Sequence, residues 1–396
     1  MKDYLSNSEN IAGMSTNMDN NLSDNSFSLP QYSIQGEEVV KQNNYVLNIT
    51  GFASNSDTKI ACSTSDNTIS IYNLNESWNK LSDTKVEEDR ITSLRFIPQR
   101  NNQLCYSSTN GSIQQLDLRV GCNQVKKFKD TSNKGNEDKP ILSFDISCDG
   151  RFICAGTEVA GGDAFLLFWD VRSTKLLGGY WESHTEDITQ VVFHPSKPHH
   201  LLTGAMDGLM NVLDVSQPCE DDALLTSLNT ESSVERLSWI EEASGDEIIS
   251  CLTHPNDLQM WRESDSKPFA QFSREQIASA VNLKCADSLY TVDVHKHQPT
   301  NNLMLLTGSY TGDSDWFRSA VVREDSLGSV SQFIGNSQIV RASWYDSKND
   351  LLVTGGEKGI VTAWKPQDNL PKSNSISTNV VNKKDSKLKG TRMKPY

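Results

Sequence analysis

The sequence predicts an all-β protein, a seven-bladed β-propeller, and two observations support this fold class. The first is an internal repeat whose copies lie about 48 to 50 residues apart along the chain, a period typical of propeller blades. The second is the layout of each copy. Three short apolar segments alternate with turns rich in Gly, Pro, Asp and Asn, and a fourth apolar segment follows. Each repeat therefore predicts four short antiparallel strands.

The repeat is clearest between residues 90–119 and residues 187–216, which align without a gap at an offset of 97, or two periods of about 48. Residues 338–366 match the second of these copies at an offset of 151, and residues 45–75 match it 141 residues upstream. Three more units fit between these copies, at residues 141–172, 232–264 and 290–322. The total predicts seven four-stranded blades.

The segments between the repeats carry predictions of their own. The sequences LLGGYWE and KPFAQF follow two of the repeats and predict outer strands. Residues 273–281 predict a short helix, because Ser273 and Gln276 fit a capping box. Closing the ring of blades needs an N-terminal strand beside the last unit, since an open sheet edge invites aggregation. Either residues 31–35 or residues 38–42 can supply that strand.

The chain is expected to divide into three segments, with a disordered segment at residues 1–30, the propeller at residues 31–368 and a basic disordered tail at residues 369–396. The first segment is rich in Asn, Ser and Asp and has few large apolar side chains. Residues 371–396 hold seven basic residues and one acid, a net charge of +6 that leaves −20 for the rest of a chain totalling −14. Such a run indicates a nuclear or nucleolar address or a weak RNA contact, and a solvated tail without a role is the alternative.

Composition argues against several classes of protein. A net charge of −14 disfavours binding to double-stranded nucleic acid, which needs a clustered positive field. The longest fully apolar run, residues 164–169, is far shorter than the roughly 20 residues of a membrane-spanning helix, and no secretion signal is recognised in the first segment. The absence of a CxxC pair among eight cysteines fits a reducing compartment. We therefore predict an intracellular protein of the nucleus or the cytoplasm, with the basic tail favouring the nucleus.

The repeats resemble those of the WD40-repeat family over roughly residues 45–366. The resemblance rests on Trp169 followed by Asp170, on Asp214 after Leu213, and on the pairing of His184 with Asp207. It implies a propeller in which a Trp, a strand Ser or Thr, a loop His and a turn Asp are hydrogen-bonded within one blade.

This set of four residues is incomplete in every blade. Blade four has His184, Thr203 and Asp207, but Leu213 replaces the Trp. Blade seven has Thr354 and Trp364, but Gly335 and Lys358 stand where the His and the Asp are expected. Stability is therefore expected to come mostly from apolar stacking between blades. The residues that the resemblance assigns to structural positions are Asp66, Asp117, Trp169, Asp170, His184, Thr203, Asp207, Asp214, Trp261, Thr354 and Trp364.

Two consecutive blade ends resemble a known binding motif. Residues 104–119 have the spacing of a box found in substrate receptors of cullin-4 ubiquitin ligases, in which an Arg two residues after an Asp contacts the adaptor subunit. Arg119 and Arg172 occupy that position and are candidate partner-binding residues. Asn110 and Leu116 depart from the pattern, which has Asp and Trp or Phe there. The alternative is that each Arg pairs with the Asp before it, an interaction worth about 0–1 kcal/mol when exposed.

The sequence contains no GxSxG, GxxxxGK[ST] or GxGxxG motif, each of which marks a known catalytic or nucleotide site. His295 and His297 share a strand face that a metal could bridge, but solvated loop histidines are the favoured interpretation of these residues and of His199 and His200. We therefore predict no catalytic residue, no metal and no cofactor.

These features together predict a non-catalytic scaffold that binds other proteins, a monomeric propeller within an intracellular complex. A substrate receptor that binds a cullin-4 ligase adaptor and an enzyme that uses the propeller channel are the alternatives. No small-molecule substrate and no membrane are expected, and nucleic acid is expected to bind only weakly through the basic tail. Acidic loops such as residues 220–222 predict either a solvated rim or a docking surface for a basic peptide or a ribosomal-type protein.

Overall fold

The structure is a computed structural model that describes residues 30–54, 57–75, 78–87, 89–132, 139–241, 245, 247–311 and 316–367. Apart from Pro30, the predicted N-terminal segment lies outside these residues, and so does the predicted tail. The described part of the chain forms an all-β propeller in which every sheet is built mainly from consecutive antiparallel strands.

Five sheets have four strands each, and we number them 1 to 5 along the chain. Sheet 1 contains β2 (Val46–Ala53), β3 (Thr58–Thr64), β4 (Thr68–Asn73) and β5 (Asn79–Lys85). Sheet 2 contains β6 (Ile91–Phe96), β7 (Gln103–Ser108), β8 (Ser112–Asp117) and β9 (Asn123–Lys129). Sheet 3 contains β10 (Ile141–Ile146), β11 (Phe152–Thr157), β12 (Leu166–Asp170) and β13 (Leu176–Tyr180). Sheet 4 contains β14 (Ile188–Phe193), β15 (His200–Ala205), β16 (Leu209–Asp214) and β17 (Leu224–Asn229). Sheet 5 contains β18 (Val234–Glu241), β19 (Glu247–Thr253), β20 (Leu258–Arg262) and β21 (Ala270–Phe272).

The remaining strands form one eight-stranded sheet, which we call the double sheet. Its members are β1 (Tyr32–Val39), β22 (Leu289–His297), β23 (Asn302–Ser309), β24 (Phe317–Val322), β25 (Leu327–Ile334), β26 (Val340–Asp346), β27 (Leu351–Gly356) and β28 (Ile360–Pro366). Two short α-helices, α1 (Glu220–Ala223) and α2 (Arg274–Ala280), lie between strands. Two 3-10 turns span Leu118–Val120 and Ala286–Ser288.

The expectation of seven separate four-stranded sheets is wrong as a count of sheets, because the described strands form six. The last two repeats merge where β1 pairs in parallel with β25, through Tyr32 opposite Phe333 and Ser33 opposite Ile334. On its other side β1 pairs antiparallel with β28 along its whole length. A strand from the start of the chain thus joins two repeats from its end.

This N-terminal strand covers the edge of β28, as the need for ring closure predicts. The strand includes residues 32–35 of the first segment considered for that role and residues 38–39 of the second, and it bulges between Ile34 and Gly36. Tyr32 is fully buried, and its ring stacks on Phe333 with 4.8 Å between centroids. The Gln31 carbonyl accepts a hydrogen bond from the amide of Gln367 at 2.7 Å. Backbone pairing and aromatic packing therefore both hold the closing strand.

The hydrophobic core lies between neighbouring sheets. Glycines in second strands allow the first strand of the next sheet to approach closely. A Cβ on Gly156 would lie 2.5 Å from Cγ2 of Ile188, and one on Gly204 would lie 2.7 Å from Cγ1 of Val234. These approaches pack sheet 3 against sheet 4 and sheet 4 against sheet 5, and the apolar side chains buried between them stabilise the fold.

The predicted short helix at residues 273–281 is confirmed. Ser273 caps α2 through a capping box in which its hydroxyl and the Gln276 side chain each accept a backbone amide proton. Cys62, Cys105, Cys154 and Cys251 are buried, and none of the eight cysteines forms a disulfide. No helix in the described ranges is long and apolar enough to cross a membrane.

Candidate functional site

Sheet 4 contains a buried polar network beside its first strand. The Nδ1 atom of His184 lies 3.2 Å from Oδ2 of Asp207, and its Nε2 atom lies 2.8 Å from the Thr203 hydroxyl. Backbone amides of Thr185 and Leu209 also donate to Asp207, both at 2.9 Å. Burial opposes ionisation of Asp207, but the hydrogen bonds from His184 and these amides outweigh it and lower the pKa. The network fixes the loop that enters sheet 4.

In the double sheet, different residues fix the corresponding entry loop. The indole nitrogen of Trp364 donates to the Thr354 hydroxyl at 2.8 Å in the buried interior. Gln338 occupies the entry loop, where its amide nitrogen donates to the Ile360 carbonyl at 2.8 Å and its oxygen accepts from the Lys358 amide at 3.3 Å. The sequence comparison placed Gly335 at this position and missed Gln338. Gln338 is buried, and the signal available in the sequence was a polar residue two positions before the first strand.

The other two tryptophans that the resemblance assigns to structural positions donate their indole N–H groups to partners outside a four-residue network. Trp169 donates to the Lys129 carbonyl of the neighbouring sheet at 3.4 Å. Trp261 donates to the Gln259 side chain at 3.1 Å. Both indoles are buried, so they act as core residues that link or brace sheets rather than as members of a four-residue network.

Two of the assigned aspartates organise tight turns. Asp66 accepts from the Thr64 hydroxyl at 2.6 Å and lies 3.0 Å from the Lys41 ammonium. Asp214 accepts from the amide and the hydroxyl of Ser216, at 3.0 and 2.7 Å. Burial opposes ionisation of Asp66, but its hydrogen bonds outweigh this and lower its pKa to about 2. The hydrogen bonds of Asp214 likewise lower its pKa to about 2. These residues have a structural role in the turns.

The two aspartates followed by arginines form a matching pair of turns on sheets 2 and 3. Asp117 accepts from Nε and Nη2 of Arg119, at 3.0 and 2.6 Å, and from its backbone amide at 3.0 Å. Asp170 accepts from Nε, Nη2 and the amide of Arg172, at 2.9, 2.6 and 2.8 Å. Hydrogen bonds from the arginines lower the pKa of each carboxyl to about 2. Both arginines therefore adopt the same two-pronged pose.

That pose leaves most of each arginine in solvent. The Arg119 side chain is 65% exposed and the Arg172 side chain 66%, whereas their aspartates are 9% and 12% exposed. The pairing with the preceding Asp, considered as an alternative to partner binding, is thus present. The pairing orients the guanidinium group without burying it. Pairing with the Asp and binding a partner are therefore compatible roles.

A lysine links sheet 2 to the turn that carries Arg172. The ammonium of Lys126 on β9 donates to the Val171 carbonyl at 2.6 Å, and Val171 lies between Asp170 and Arg172. Next to Arg119 is a cavity of about 400 Å³ that Lys59 and Leu118 also line. We call the surface formed by the two turns that carry Arg119 and Arg172 the arginine face. The two sheets that carry these arginines are thus in direct contact.

The prediction that His295 and His297 are solvated loop residues is wrong. Both lie in β22, which continues to His297 because that residue pairs with Asn302 of β23. His297 is 1% exposed and lies 2.7 Å from the Thr300 hydroxyl. His295 lies 2.9 Å from the Ser343 hydroxyl, and burial lowers its pKa. These histidines are structural members of the strand.

His200 is likewise the first residue of β15, and both it and His199 are half-buried. The described residues contain no group of three or more His, Cys, Asp or Glu side chains arranged to hold a metal ion.

Comparison with known proteins identifies the repeat. The profile of the family described as WD domain, G-beta repeat matches residues 176–214, from the start of β13 to the end of β16. The chain carries a WD40 repeat. The matched segment contains His184, Thr203 and Asp207, so the buried network of sheet 4 lies inside the WD40 repeat.

Similarity to WD40-repeat proteins extends over most of the chain. The chain is 27% identical over 353 residues to WD repeat-containing protein GTS1 of Arabidopsis thaliana, and the match covers 86% of each chain. It is 24% identical over 345 residues to the WD repeat-containing protein 89 homolog of Dictyostelium discoideum, covering 85% of this chain and 89% of the relative. Nucleoporin Nup43 of Homo sapiens is 34% identical over 97 residues, or 23% of this chain and 26% of its own. The resemblance to the WD40-repeat family, with a layout similar to that of WD repeat-containing protein 89, is confirmed.

Proposed function

We propose that this protein is a non-catalytic scaffold that binds other proteins through the rims of a seven-bladed WD40 propeller. The blade count treats the double sheet as two blades. Strands β22 to β25 form one antiparallel set, and β26 to β28 with β1 form the other. Among the described strands, backbone pairing joins the two sets through the two residue pairs between β1 and β25. WD40-repeat proteins are generally interaction scaffolds, which supports the broad assignment.

The observation that carries the proposal is the arginine face. Two successive sheets present an arginine in the same pose, each held by its own buried carboxylate and each about two-thirds exposed. An exposed guanidinium that is already oriented loses little conformational freedom when it binds a carboxylate or a carbonyl of a partner. Two such groups at a fixed separation can select a partner by geometry as well as by charge.

A narrower proposal is that the arginine face binds the adaptor of a cullin-4 ubiquitin ligase. One departure from the motif is structurally small. Asn110 accepts from the Ser108 hydroxyl at 2.6 Å and from the Ser112 amide at 3.1 Å, much as Asp66 and Asp207 brace their own turns. The Asn therefore preserves the turn that precedes β8. The other departure, Leu116, keeps an apolar side chain buried at 3% exposure.

The test is quantitative affinity purification with an Arg119→Gln, Arg172→Gln double variant. Gln removes both charges without placing a new carboxylate beside Asp117 and Asp170. Arg262→Gln is the matched control, because Arg262 is an ion-paired arginine on sheet 5 with a side chain 35% exposed. We expect the double variant to lose partners that the wild type and the control retain. Identical partner sets for all three proteins would refute a role for the arginine face, and a set without a cullin-4 adaptor would refute the narrower proposal.

We also propose that the propeller spans residues 31–368 between a separate N-terminal segment at 1–30 and a separate tail at 369–396. The first described strand begins at Tyr32 and the last ends at Pro366, which supports these limits. Limited proteolysis should yield a resistant core with ends near residues 30 and 368. Resistance that extends well into either segment would contradict the division.

The basic tail supports a nuclear location, and part of the chain is similar to a nucleoporin. A fluorescent fusion that ends at residue 370 should lose the nuclear enrichment of the full chain. An unchanged distribution would remove the basis for this proposal.

A further inference from the structure

A groove opens at the outer rim where sheets 3 and 4 meet. It encloses about 480 Å³ and is lined mainly by apolar surface, including Phe168, Leu177, Tyr180, Trp181 and Pro218. We call it the rim groove. It lies on different residues from the arginine face, so it is a second candidate surface.

The apolar side chains of the rim groove are unusually accessible. Leu177 is 57% exposed and Trp181 is 53% exposed. The bottom of the groove is well packed, because the rings of Phe168 and Tyr180 contact edge to face with 4.8 Å between their centroids. Gly178 leaves the centre open, since a Cβ added there would meet no atom within 4 Å. Large exposed apolar side chains around a preformed depression are typical of binding sites.

One wall of the groove is fixed in place by a single carboxylate. Glu220, the first residue of α1, accepts from the backbone amides of Trp181 and Glu182, both at 2.9 Å. It also accepts from the Ser183 hydroxyl at 2.5 Å. The helix of sheet 4 is thereby tied to the chain leaving the outer strand of sheet 3. The groove exists before any ligand binds, which reduces the entropy cost of binding.

The charge and the backbone of the groove indicate the kind of ligand. Every charged residue that lines it is acidic, namely Glu182, Glu220 and Asp221. Strand β13 is the outermost strand of sheet 3 and pairs only with β12 among the described strands. An extended peptide can therefore run along β13, place an apolar side chain between Leu177 and Trp181, and place a cation beside the carboxylates.

We propose that the rim groove binds an extended segment of a partner protein that carries a large apolar side chain next to Lys or Arg. The proposal rests on the scaffold function and names the chemistry of one class of partner. Trp181 supplies the main apolar contact, as expected for an exposed tryptophan at the centre of an interface. Glu182 and Asp221 select the basic residue.

The test is selection of a random nine-residue peptide library displayed on phage, with the full-length protein as bait. Selected peptides should share an aliphatic or aromatic residue adjacent to Lys or Arg. Their affinity, measured by fluorescence anisotropy, should fall about tenfold or more with Trp181→Ala, and it should fall also with Glu182→Lys. Leu225→Ala is the matched control, because Leu225 is a 46% exposed residue of β17 outside the groove, and this variant should bind normally. Selected peptides without a basic residue, or equal binding to Trp181→Ala, would overturn the proposal.

Two other occupants are distinguishable outcomes. Light scattering that shows a wild-type dimer and a monomeric Trp181→Ala variant would assign the groove to a second copy of the chain. Binding of a synthetic peptide of residues 371–396, lost in Trp181→Ala, would assign it to the protein's own tail. Either result would overturn a partner segment as the ligand. If the rim groove binds no such peptide, the Arg119→Gln, Arg172→Gln variant is still expected to lose partners. The two proposals can therefore be refuted separately.

Discussion

Replacing Tyr32 with Ala is expected to weaken the closure of the propeller more than a substitution near the end of a chain usually does. The Tyr32 ring is fully buried, stacks on Phe333 and sits where β1 pairs with both β25 and β28. Truncating a large buried aromatic side chain to Ala typically costs about 3–5 kcal/mol. Because the ring packs in the middle of the double sheet, the surroundings have little room to collapse, so the cost is expected within this range.

Equilibrium urea denaturation of the full-length protein, followed by tryptophan fluorescence, measures this loss. Tyr32→Phe is the matched control, because the Tyr32 hydroxyl is buried and has no hydrogen-bond partner among the described residues. Removing it should change the free energy of unfolding by less than about 1 kcal/mol or stabilise the protein slightly. A loss below about 1 kcal/mol for Tyr32→Ala would refute the claim that the N-terminal strand closes the fold.

Three further predictions concern stability. Gly156→Ala should destabilise the protein by about 1–3 kcal/mol, because its Cβ would lie 2.5 Å from Ile188, and Gly178→Ala should have little effect on the same urea midpoint. Thr354→Val should cost about 1–3 kcal/mol in thermal denaturation, since it leaves the buried Trp364 nitrogen without its acceptor; an unchanged melting temperature would contradict this. The folded pKa of Asp117 is lowered to about 2 from an unfolded value of about 3.9. Its stabilising contribution is therefore complete above pH 4 and is lost as the pH falls towards 2. Urea midpoints at pH 5, 4 and 3 should fall more steeply for the wild type than for Arg119→Gln, and parallel curves would show that the ion pair does not contribute.

Much of the fold could be predicted from the sequence because the repeat carries local information. The apolar segments, the turn residues and the capping box of α2 are encoded within a few residues of one another, so each strand was predictable from its own neighbourhood. The merger of the last two repeats was not, because it depends on β1, which pairs with residues about 300 positions away. The strand register at Tyr32 has no local signature in the sequence.

In the candidate sites too, contacts between residues close in sequence could be predicted and contacts between distant residues could not. Asp117 and Arg119 are two residues apart, so their pairing could be considered from the sequence, and the geometry then showed that the arginine remains exposed. Gln338 was missed because it lies two residues before its strand, whereas His184 lies four residues before its own, so an alignment without gaps does not pair them. The hydrogen bond that the Trp181 amide donates to Glu220 joins the chain after β13 to α1, and no pattern of residue types predicts such a contact.

The most direct test of the account is amide hydrogen exchange of the protein alone and in the complex recovered by affinity purification. If partners bind the arginine face, the segments 118–121 and 171–173 should exchange more slowly in the complex than in the free protein. Protection confined to other parts of the propeller, with both segments unchanged, would contradict the central claim that the paired arginines form the partner-binding surface.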